Sequence, residues 1–454
     1  MSDTSVGQST KVNGTNAANT TTGTTTADKV DAKAGSDTGL GGAGDDWVKG
    51  GSGDDNVDGG AGSDRVDGGA GNDRLIYKVG ENTGATDTYD GGSGTNRLVL
   101  QMTRAEWMRD DIQADVAAFL VYLATASTGT NSSKGFTFTA FKLTVTKVSA
   151  LDVFVDGVQQ DPRDEAITAV ADSWLAATEH SSIAGNVVAN DLVPDLVRAV
   201  EVVQGPAKGA LALNADGSFV YNPGNDFNAL AEGETAQATF TYKVTDADRD
   251  STTAQVTLTI TGTNDAPIAN ADTGTTNEND SITVNVLAND TDVDTSDTHT
   301  VKTATLTSGL GAVAVTNNQV QWTPGTAYDY LAVGETAAVG ISYTQSDNHN
   351  ASATSSLALT VKGTNDVPVA NTDAAVTDEN TGITVNVLGN DTDLDTSDTH
   401  TVKAVSVTTG LGGVAITNNQ VQWTPGAVYD SLALGETATV AIAYTQSDNN
   451  NATA

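Results

Sequence analysis

Four aspartates, Asp46, Asp55, Asp64 and Asp73, stand at a constant interval of nine residues. Each holds the sixth position of the same short phrase, G-G-x-G-x-D-x-U-x, opened in turn by Gly41, Gly50, Gly59 and Gly68 and carrying one apolar U residue, Val48, Val57, Val66 or Leu75. Glycine at three of six positions permits the φ > 0 of a tight turn, and the turned carbonyls share a space with the aspartate carboxylate. Hard oxygen donors of this kind suit Ca²⁺, which takes such ligands at about 2.3–2.6 Å. With one core residue per very short strand, no unit folds alone. Two units make one coil, so Asp46 faces Asp64 and Asp55 faces Asp73 about one strand spacing (~4.8 Å) away. Carboxylates that close repel one another unless a cation lies between them, so ion-binding energy becomes folding energy. A degenerate unit carrying Asp37 precedes the four, and another at 91–98 follows with Asn96 in place of the aspartate; both read as edge turns.

A second set of acids recurs at a longer interval. Asn289-Asp290-Thr291-Asp292-Val293-Asp294 has a twin in Asn390-Asp391-Thr392-Asp393-Leu394-Asp395. Alternate side chains of an extended segment share a face, so Asp292 with Asp294, and Asp393 with Asp395, are candidate ligands. Asp265 and Asp366 lie in Asn-Asp-x-Pro boundary motifs, and Glu278 or Glu379 lies nearby in sequence, so an oxygen-rich junction site is expected. An EF-hand is excluded, because Thr295 stands where glycine is required and Val301 where the bidentate glutamate belongs. The first copy has Asn190-Asp191 without the alternating acids and carries Asp246-Ala247-Asp248-Arg249-Asp250 instead.

Catalytic constellations are missing from the sequence. The only histidines are His180, His299, His349 and His400; none forms H-E-x-x-H, and no G-x-S-x-G elbow is present. His299 and His400 recur with the repeat, which is scaffold behaviour, so no enzyme is expected. The 454 residues hold 58 Asp+Glu against 21 Lys+Arg, a net charge of −37, which argues against nucleic acid and anionic lipid as partners. No cysteine exists, which excludes disulfides and thiolate metal sites. No apolar run approaches the ~18 residues of a membrane span, and the first 26 residues lack a signal-peptide pattern.

The elements that must position these residues follow from two periods. Residues 1–31 are rich in Thr, Gly and Asn and are expected to be a disordered tail, because they bury too little to offset ordering entropy. Residues 32–99 are the nonapeptide coil. In 100–165, Thr103-Arg104-Ala105-Glu106 is a capping box, and Met108, Ile112, Val116, Phe119, Leu120 and Leu123 form one helical stripe. Phe136, Phe138, Leu143 and Val145 then alternate as strands, and 151–155 runs into the hairpin dipeptide Asp156-Gly157, making a small α+β segment over the end of the coil. From 166 a period of 101 residues takes over: Pro267 matches Pro368, Trp322 matches Trp423, and Tyr242, Tyr343 and Tyr444 share the offset. Short β runs between Gly, Asn and Asp turns make each copy a β-sandwich, over 166–265, 266–366 and 367–454. Trp322 and Trp423 read as sandwich core. The third copy ends before the counterpart of residues 355–362, so the sequence is expected to be a fragment of a longer protein.

The four nonapeptides resemble the RTX (hemolysin-type) calcium-binding repeats of proteins exported by Gram-negative bacteria. That resemblance implies a parallel β-roll in which Asp46, Asp55, Asp64 and Asp73 bridge Ca²⁺, the carbonyls of the turns opened by Gly41, Gly50, Gly59 and Gly68 complete the shell, and two or three ions bind. Residues 166–454 resemble the VCBS and cadherin-like repeats of large bacterial surface adhesins, which implies a stiff rod with calcium at its junctions. The fold class expected is all-β: a calcium-binding parallel β-roll, a small α+β connector, and tandem Ig/cadherin-like sandwiches. The function implied is calcium-dependent structure and adhesion outside the cell, secreted or at the bacterial surface, with Ca²⁺ and a cell-surface or biofilm-matrix ligand as partners. The alternative is the non-catalytic repeat portion of a type I-secreted enzyme or toxin.

Overall fold

The nonapeptide period becomes two parallel sheets wound as one flattened coil. The computed structural model describes residues 10–126 and 134–454. One sheet runs in the order Thr10–Asn13, Asp28–Asp31, Trp47–Ser52, Arg65–Ala70 and Asp87–Asp90, and the other through Thr20–Thr22, Thr38–Leu40, Asn56–Asp58, Arg74–Lys78 and Arg97–Met102. The strands stay in register by the U position, pairing Val30 with Val48, Val48 with Val66 and Val66 with Tyr89 on one side. Gly39, Val57, Leu75 and Leu98 stack on the other. Val48, Val57, Val66 and Leu75 are fully buried between the sheets. Successive coils touch closely: Gly60 has φ +91°, and a Cβ there would lie 2.0 Å from the Gly42 carbonyl oxygen.

The expected disordered tail is corrected over its described part. Residues 10–31 supply three strands of the roll, and residues 1–9 lie outside the described residues. Composition argued for disorder, yet the nine-residue phase persists, with Gly23, Asp28 and Val30 each eighteen residues before Gly41, Asp46 and Val48. A threonine hydroxyl braces the turn there: Thr24 Oγ1 donates to Asp28 Oδ2 at 2.7 Å. Stacking on a preformed rung supplies hydrogen bonds and buried surface that the segment lacks alone.

The segment after residue 100 continues both sheets. Leu143–Thr146 adds to Asp87–Asp90, and Ala150–Val155 adds to Arg97–Met102, both in parallel. The capping box is formed at Thr103, but the helical stripe is broken into α1 (Arg104–Trp107) and α2 (Asp110–Ala126). Ile112, Val116 and Phe119 of α2 are buried, with Phe119 4.9 Å from Phe138 between ring centres. Asp156 (φ 51°) and Gly157 (φ 82°) turn the hairpin to Val158–Gln160. The roll's arginine column ends on Asp152, which pairs with Arg74 at 3.3 Å and with Arg97.

The chain divides into two compact units, residues 1–226 with 236–260 and residues 227–235 with 261–454. In the first unit, repeat 1 places a four-stranded sheet opposite a three-stranded one. In the second, repeat 2 does the same, with Asp272–Asn277, Ser352–Lys362, Thr336–Ser346 and Thr300–Ser308 in one sheet. Trp322 is fully buried at its centre and donates Nε1–H to the Leu310 carbonyl at 3.1 Å. Tyr343 is also buried, its hydroxyl tied to the carbonyls of Asn270 (2.8 Å) and Val286 (3.1 Å). Repeat 3 repeats the small sheet and pairs Thr401–Thr409 with Ala441–Ser447.

Because the roll has one apolar layer, deleting part of it is expensive. Leu75→Ala should lower the unfolding free energy of the calcium-loaded protein by about 2–5 kcal/mol in denaturant titration, whereas Val121→Ala, 65% exposed on α2, should change it by less than about 0.5 kcal/mol.

Candidate metal centre

The aspartates of the roll form two vertical files, one on each edge. Along the first, the backbone N–H of Asp28 donates to Asp46 Oδ1 (2.7 Å), that of Asp46 to Asp64 (2.8 Å), and that of Asp64 to Asp87 (2.7 Å). Along the second, Asn19 N–H donates to Asp37 (2.7 Å), Asp37 to Asp55 (2.8 Å), Asp55 to Asp73 (3.0 Å), and Asp73 to Asn96 Oδ1 (2.9 Å). One oxygen of each carboxylate from Asp37 to Asp87 is therefore fixed by the neighbouring rung, while Asp28 Oδ2 is held by Thr24 of its own turn. The other is bare: Oδ2 of Asp37, Asp46, Asp55, Asp64, Asp73 and Asp87, and Oδ1 of Asp28, are buried without a hydrogen-bond partner. Buried anionic oxygens left this way are strongly unfavourable unless a cation meets them.

The glycines that open each unit lie beside these bare oxygens. A Cβ on Gly50 would sit 2.5 Å from Asp55 Oδ2 and 2.5 Å from the Gly68 carbonyl oxygen. On Gly41 it would meet the Gly59 carbonyl at 2.1 Å and Asp46 Oδ2 at 2.7 Å; on Gly59 and Gly68 it would lie 2.6 Å from Asp64 Oδ2 and Asp73 Oδ2. A carboxylate oxygen of one unit and a carbonyl of the next coil thus converge on one small space that only glycine leaves open. The donor set is all oxygen, part anionic and part carbonyl, which fits Ca²⁺.

Asn96 closes the second file. Its Oδ1 takes the Asp73 N–H as an aspartate would, while Nδ2 donates to the Lys147 carbonyl at 3.2 Å, so the last rung has no bare oxygen. Asp28 and Asp87 extend the first file beyond the residues singled out from the repeat. The phase of nine points to Asp28. Asp87 was hidden by an insertion that includes the 3-10 turn Val79–Asn82, which makes its step 23 residues in place of 18.

The acids of the second unit fall into two groups. Asp294 Oδ2 accepts the Asp265 N–H (2.7 Å) and Asp395 Oδ2 the Asp366 N–H (2.8 Å), while Oδ1 of each is buried and bare. Glu278 Oε1 accepts the N–H (2.7 Å) and hydroxyl (2.8 Å) of Thr364, and carboxylate oxygens of Glu278, Asp366 and Asp395 lie within 4.8 Å of one another. Asp292 is grouped with Asp297 and Asp347, and accepts from His299 Nε2 at 2.9 Å and from the Asp294 N–H at 3.0 Å; Asp393 and His400 repeat the histidine pair. Asp297 and Asp347 join through the fold, without a spacing in the sequence to mark them.

Residues 13–48 and 40–75 match the RTX calcium-binding nonapeptide repeat, and 163–262 and 264–363 match the bacterial cadherin-like domain. Residues 365–454 match the bacterial Ig domain. The chain is a tandem of RTX calcium-binding repeats, bacterial cadherin-like domains and a bacterial Ig domain. Calcium is the ion of these repeats, and they make the chain a calcium-dependent structural or adhesion repeat protein whose matched domains are non-catalytic. Of the three sandwiches expected to be Ig/cadherin-like, the first two match the cadherin-like domain and the third the Ig domain. No curated protein matches significantly. Among solved structures, mouse cadherin-23 EC22-24 is similar at 13% identity and TM-score 0.39, covering 62% of this chain and 94% of that one. Human CDH23 EC21-23 is similar at 16% identity and TM-score 0.39, covering 62% and 99%. No helix among the described residues is long and apolar enough to cross a membrane.

Burial, helped by neighbouring carboxylates, pushes the carboxyls of Asp46 and Asp55 up to about 6 and that of Asp64 up to about 7. A folded value above the unfolded one means that protonation stabilises the ion-free RTX roll below about pH 4 and that this support is lost as pH rises through 6–7. Calcium must displace those protons. Calcium affinity should therefore fall as pH drops from about 8 to about 5, with proton release on binding near pH 6–7. Calorimetry in two buffers of different ionisation enthalpy checks this; a pH-independent affinity without proton release would count against it.

Proposed function

We propose that this chain is a non-enzymatic, exported protein of the bacterial surface, part of a calcium-dependent adhesin. Calcium folds the roll and stiffens the sandwich array once the chain has left the cytosol. The observation that carries the reading is the pair of aspartate files, whose bare, buried oxygens make the coil unfavourable without a divalent ion. Calcium is scarce inside the cell and abundant outside, so the same polypeptide stays loose for export and hardens afterwards. The bare oxygens of Asp294 and Asp395, beside the boundary residues Asp265 and Asp366, support a second use of calcium at the sandwich boundaries. Asp292 and Asp393 are weaker ligands in this reading, since each already faces a histidine. The −37 charge suits a chain that collects cations and stays soluble when extended.

The test is a calcium titration of EGTA-treated protein followed by circular dichroism. The roll should gain β structure as calcium is added, and an unchanged spectrum would refute the folding step. Asp55→Ala and Asp64→Ala should each weaken calcium binding more than Asp292→Ala, and equal losses in calorimetry would overturn the ranking.

A further inference from the structure

The outer face of the roll carries a line of cations that the chain leaves without counter-charge. Residues on either side of each buried U position point outward, because alternate side chains of a strand share a face. In one sheet the register stacks Lys11 on Lys29, Lys29 on Trp47, Trp47 on Arg65 and Arg65 on Thr88. The strands of residues 10–99 hold seven cations. Four meet a carboxylate: Lys49 faces Asp67 at 3.8 Å, Lys78 faces Asp58 at 3.2 Å, and Arg74 and Arg97 share Asp152. The three without an ion pair among the described residues are Lys11, Lys29 and Arg65, and all three lie in this one line.

Trp47 stands between them. Lys29 Nζ lies 3.9 Å from the centre of an indole ring, Lys49 Nζ 4.6 Å and the Arg65 guanidinium carbon 5.2 Å. An aromatic face attracts cations and holds their ends in place, but it has no net charge to cancel theirs. Lys11 and Lys29 are direct cross-strand neighbours, and like charges so placed destabilise a sheet. The adjoining outward line settles its own charge, since Asp31, Lys49 and Asp67 alternate along it and Lys147 takes Asp90 at 3.0 Å. With 58 acids against 21 bases the chain has carboxylates in excess, so three unpaired cations in one line point to an anion from outside.

The shape of the line selects the partner. Its members are spaced by the strand separation, ~4.8 Å per rung, and it is one side chain wide, flanked by Asp31 and Asp67. A flat anionic membrane would meet those acids as well, and nucleic acid, with a charge about every 1.7 Å, would meet the repulsion of a chain at −37. The backbone groups of the sheet are spent on neighbouring rungs, so its face offers an acidic peptide no partner for its amides. A thin chain with sparse negative charges escapes all three objections.

We propose that this face of the roll binds a linear acidic polysaccharide along the roll axis, with Lys11, Lys29 and Arg65 pairing to its carboxylates or sulfates. The proposal rests on the reading of the chain as an adhesin of the bacterial surface and gives that reading a ligand class. Calcium in the aspartate files neutralises the inward carboxylates, so the loaded roll presents a more cationic face than the bare one.

Calorimetric titration of the full chain in excess CaCl₂ tests it, with short oligogalacturonate as the carboxylated probe, oligomeric dextran sulfate as the sulfated one, and neutral dextran beside them. An acidic probe should bind, neutral dextran should not, and binding should weaken as salt is added. The stronger of the two acidic probes tells carboxylate from sulfate. Lys29→Gln and Arg65→Gln should each lower its affinity by about tenfold, while Lys33→Gln, at an exposed turn off the line, should leave it unchanged. Circular dichroism checks that each variant keeps the calcium-loaded β signal; should one fail to, Lys11→Gln on the edge strand carries the same reading. No binding of either acidic probe, unchanged affinity in folded Lys29→Gln and Arg65→Gln, an equal loss in Lys33→Gln, or tighter binding of single-stranded DNA or polyglutamate would overturn the proposal. Binding through Lys29 and Arg65 without a calcium-induced gain of β structure would sink the folding step and leave this surface standing, whereas a roll that folds with calcium and binds neither probe would do the reverse.

Discussion

Seven rungs of the roll, those of Asp28, Asp37, Asp46, Asp55, Asp64, Asp73 and Asp87, each leave a carboxylate oxygen inside the protein with no hydrogen-bond partner, and the architecture of residues 10–99 is arranged around that deficit. The backbone ladder and the single apolar layer set the rungs in register. Register brings Asp46 under Asp64 and Asp55 under Asp73, with one oxygen of each pinned by an N–H of the adjoining coil. Pinning matters because it removes the carboxylate's freedom to swing into solvent. What remains is a fixed column of negative charge in a low-dielectric setting, where the attraction of a divalent ion is greatest. In the function proposed above, calcium binding and folding of the RTX repeats are one process seen from two sides.

A column of this kind must also end. Asn96 ends one file by exchanging the second oxygen for an amide that donates to Lys147. Asp152 ends the arginine column by accepting from both Arg74 and Arg97. Neither device adds a bare oxygen, so the connector closes the roll without asking for another ion. The helix and its aromatic partners, Phe119 against Phe136 and Phe138, then cover the apolar layer that the last coil exposes.

The sandwiches use the same electrostatics at a longer spacing. Their interiors are held by ordinary means, a buried Trp322 or Trp423 and a tyrosine whose hydroxyl reaches two carbonyls. Their boundaries concentrate the acids. Glu278, Asp366 and Asp395 come from distant points of the chain, and each has one bare buried oxygen. Core and boundary are therefore separable: the core accounts for a stable sandwich, and the boundary acids add little to it without a cation.

Local repetition made much of this legible in advance. A period of nine fixes which residues stack, because every coil has the same length, so the roll, its apolar layer and Asp46, Asp55, Asp64 and Asp73 can be read from one dimension. The 101-residue offset likewise marks the three sandwiches and their core tryptophans and tyrosines. Composition misled where it was set against periodicity: residues 10–31 look too polar to fold, yet they sit in phase and dock on a rung already made. What only the tertiary structure decided are the contacts whose partners lie at no regular interval. Asp87 joins its file across an insertion, Asp297 and Asp347 join Asp292 through sheet packing, and Asp246 finds Asp195 only because a hairpin folds over a loop. Each such meeting depends on how strands cross in space, and a sequence records that only where the crossing repeats.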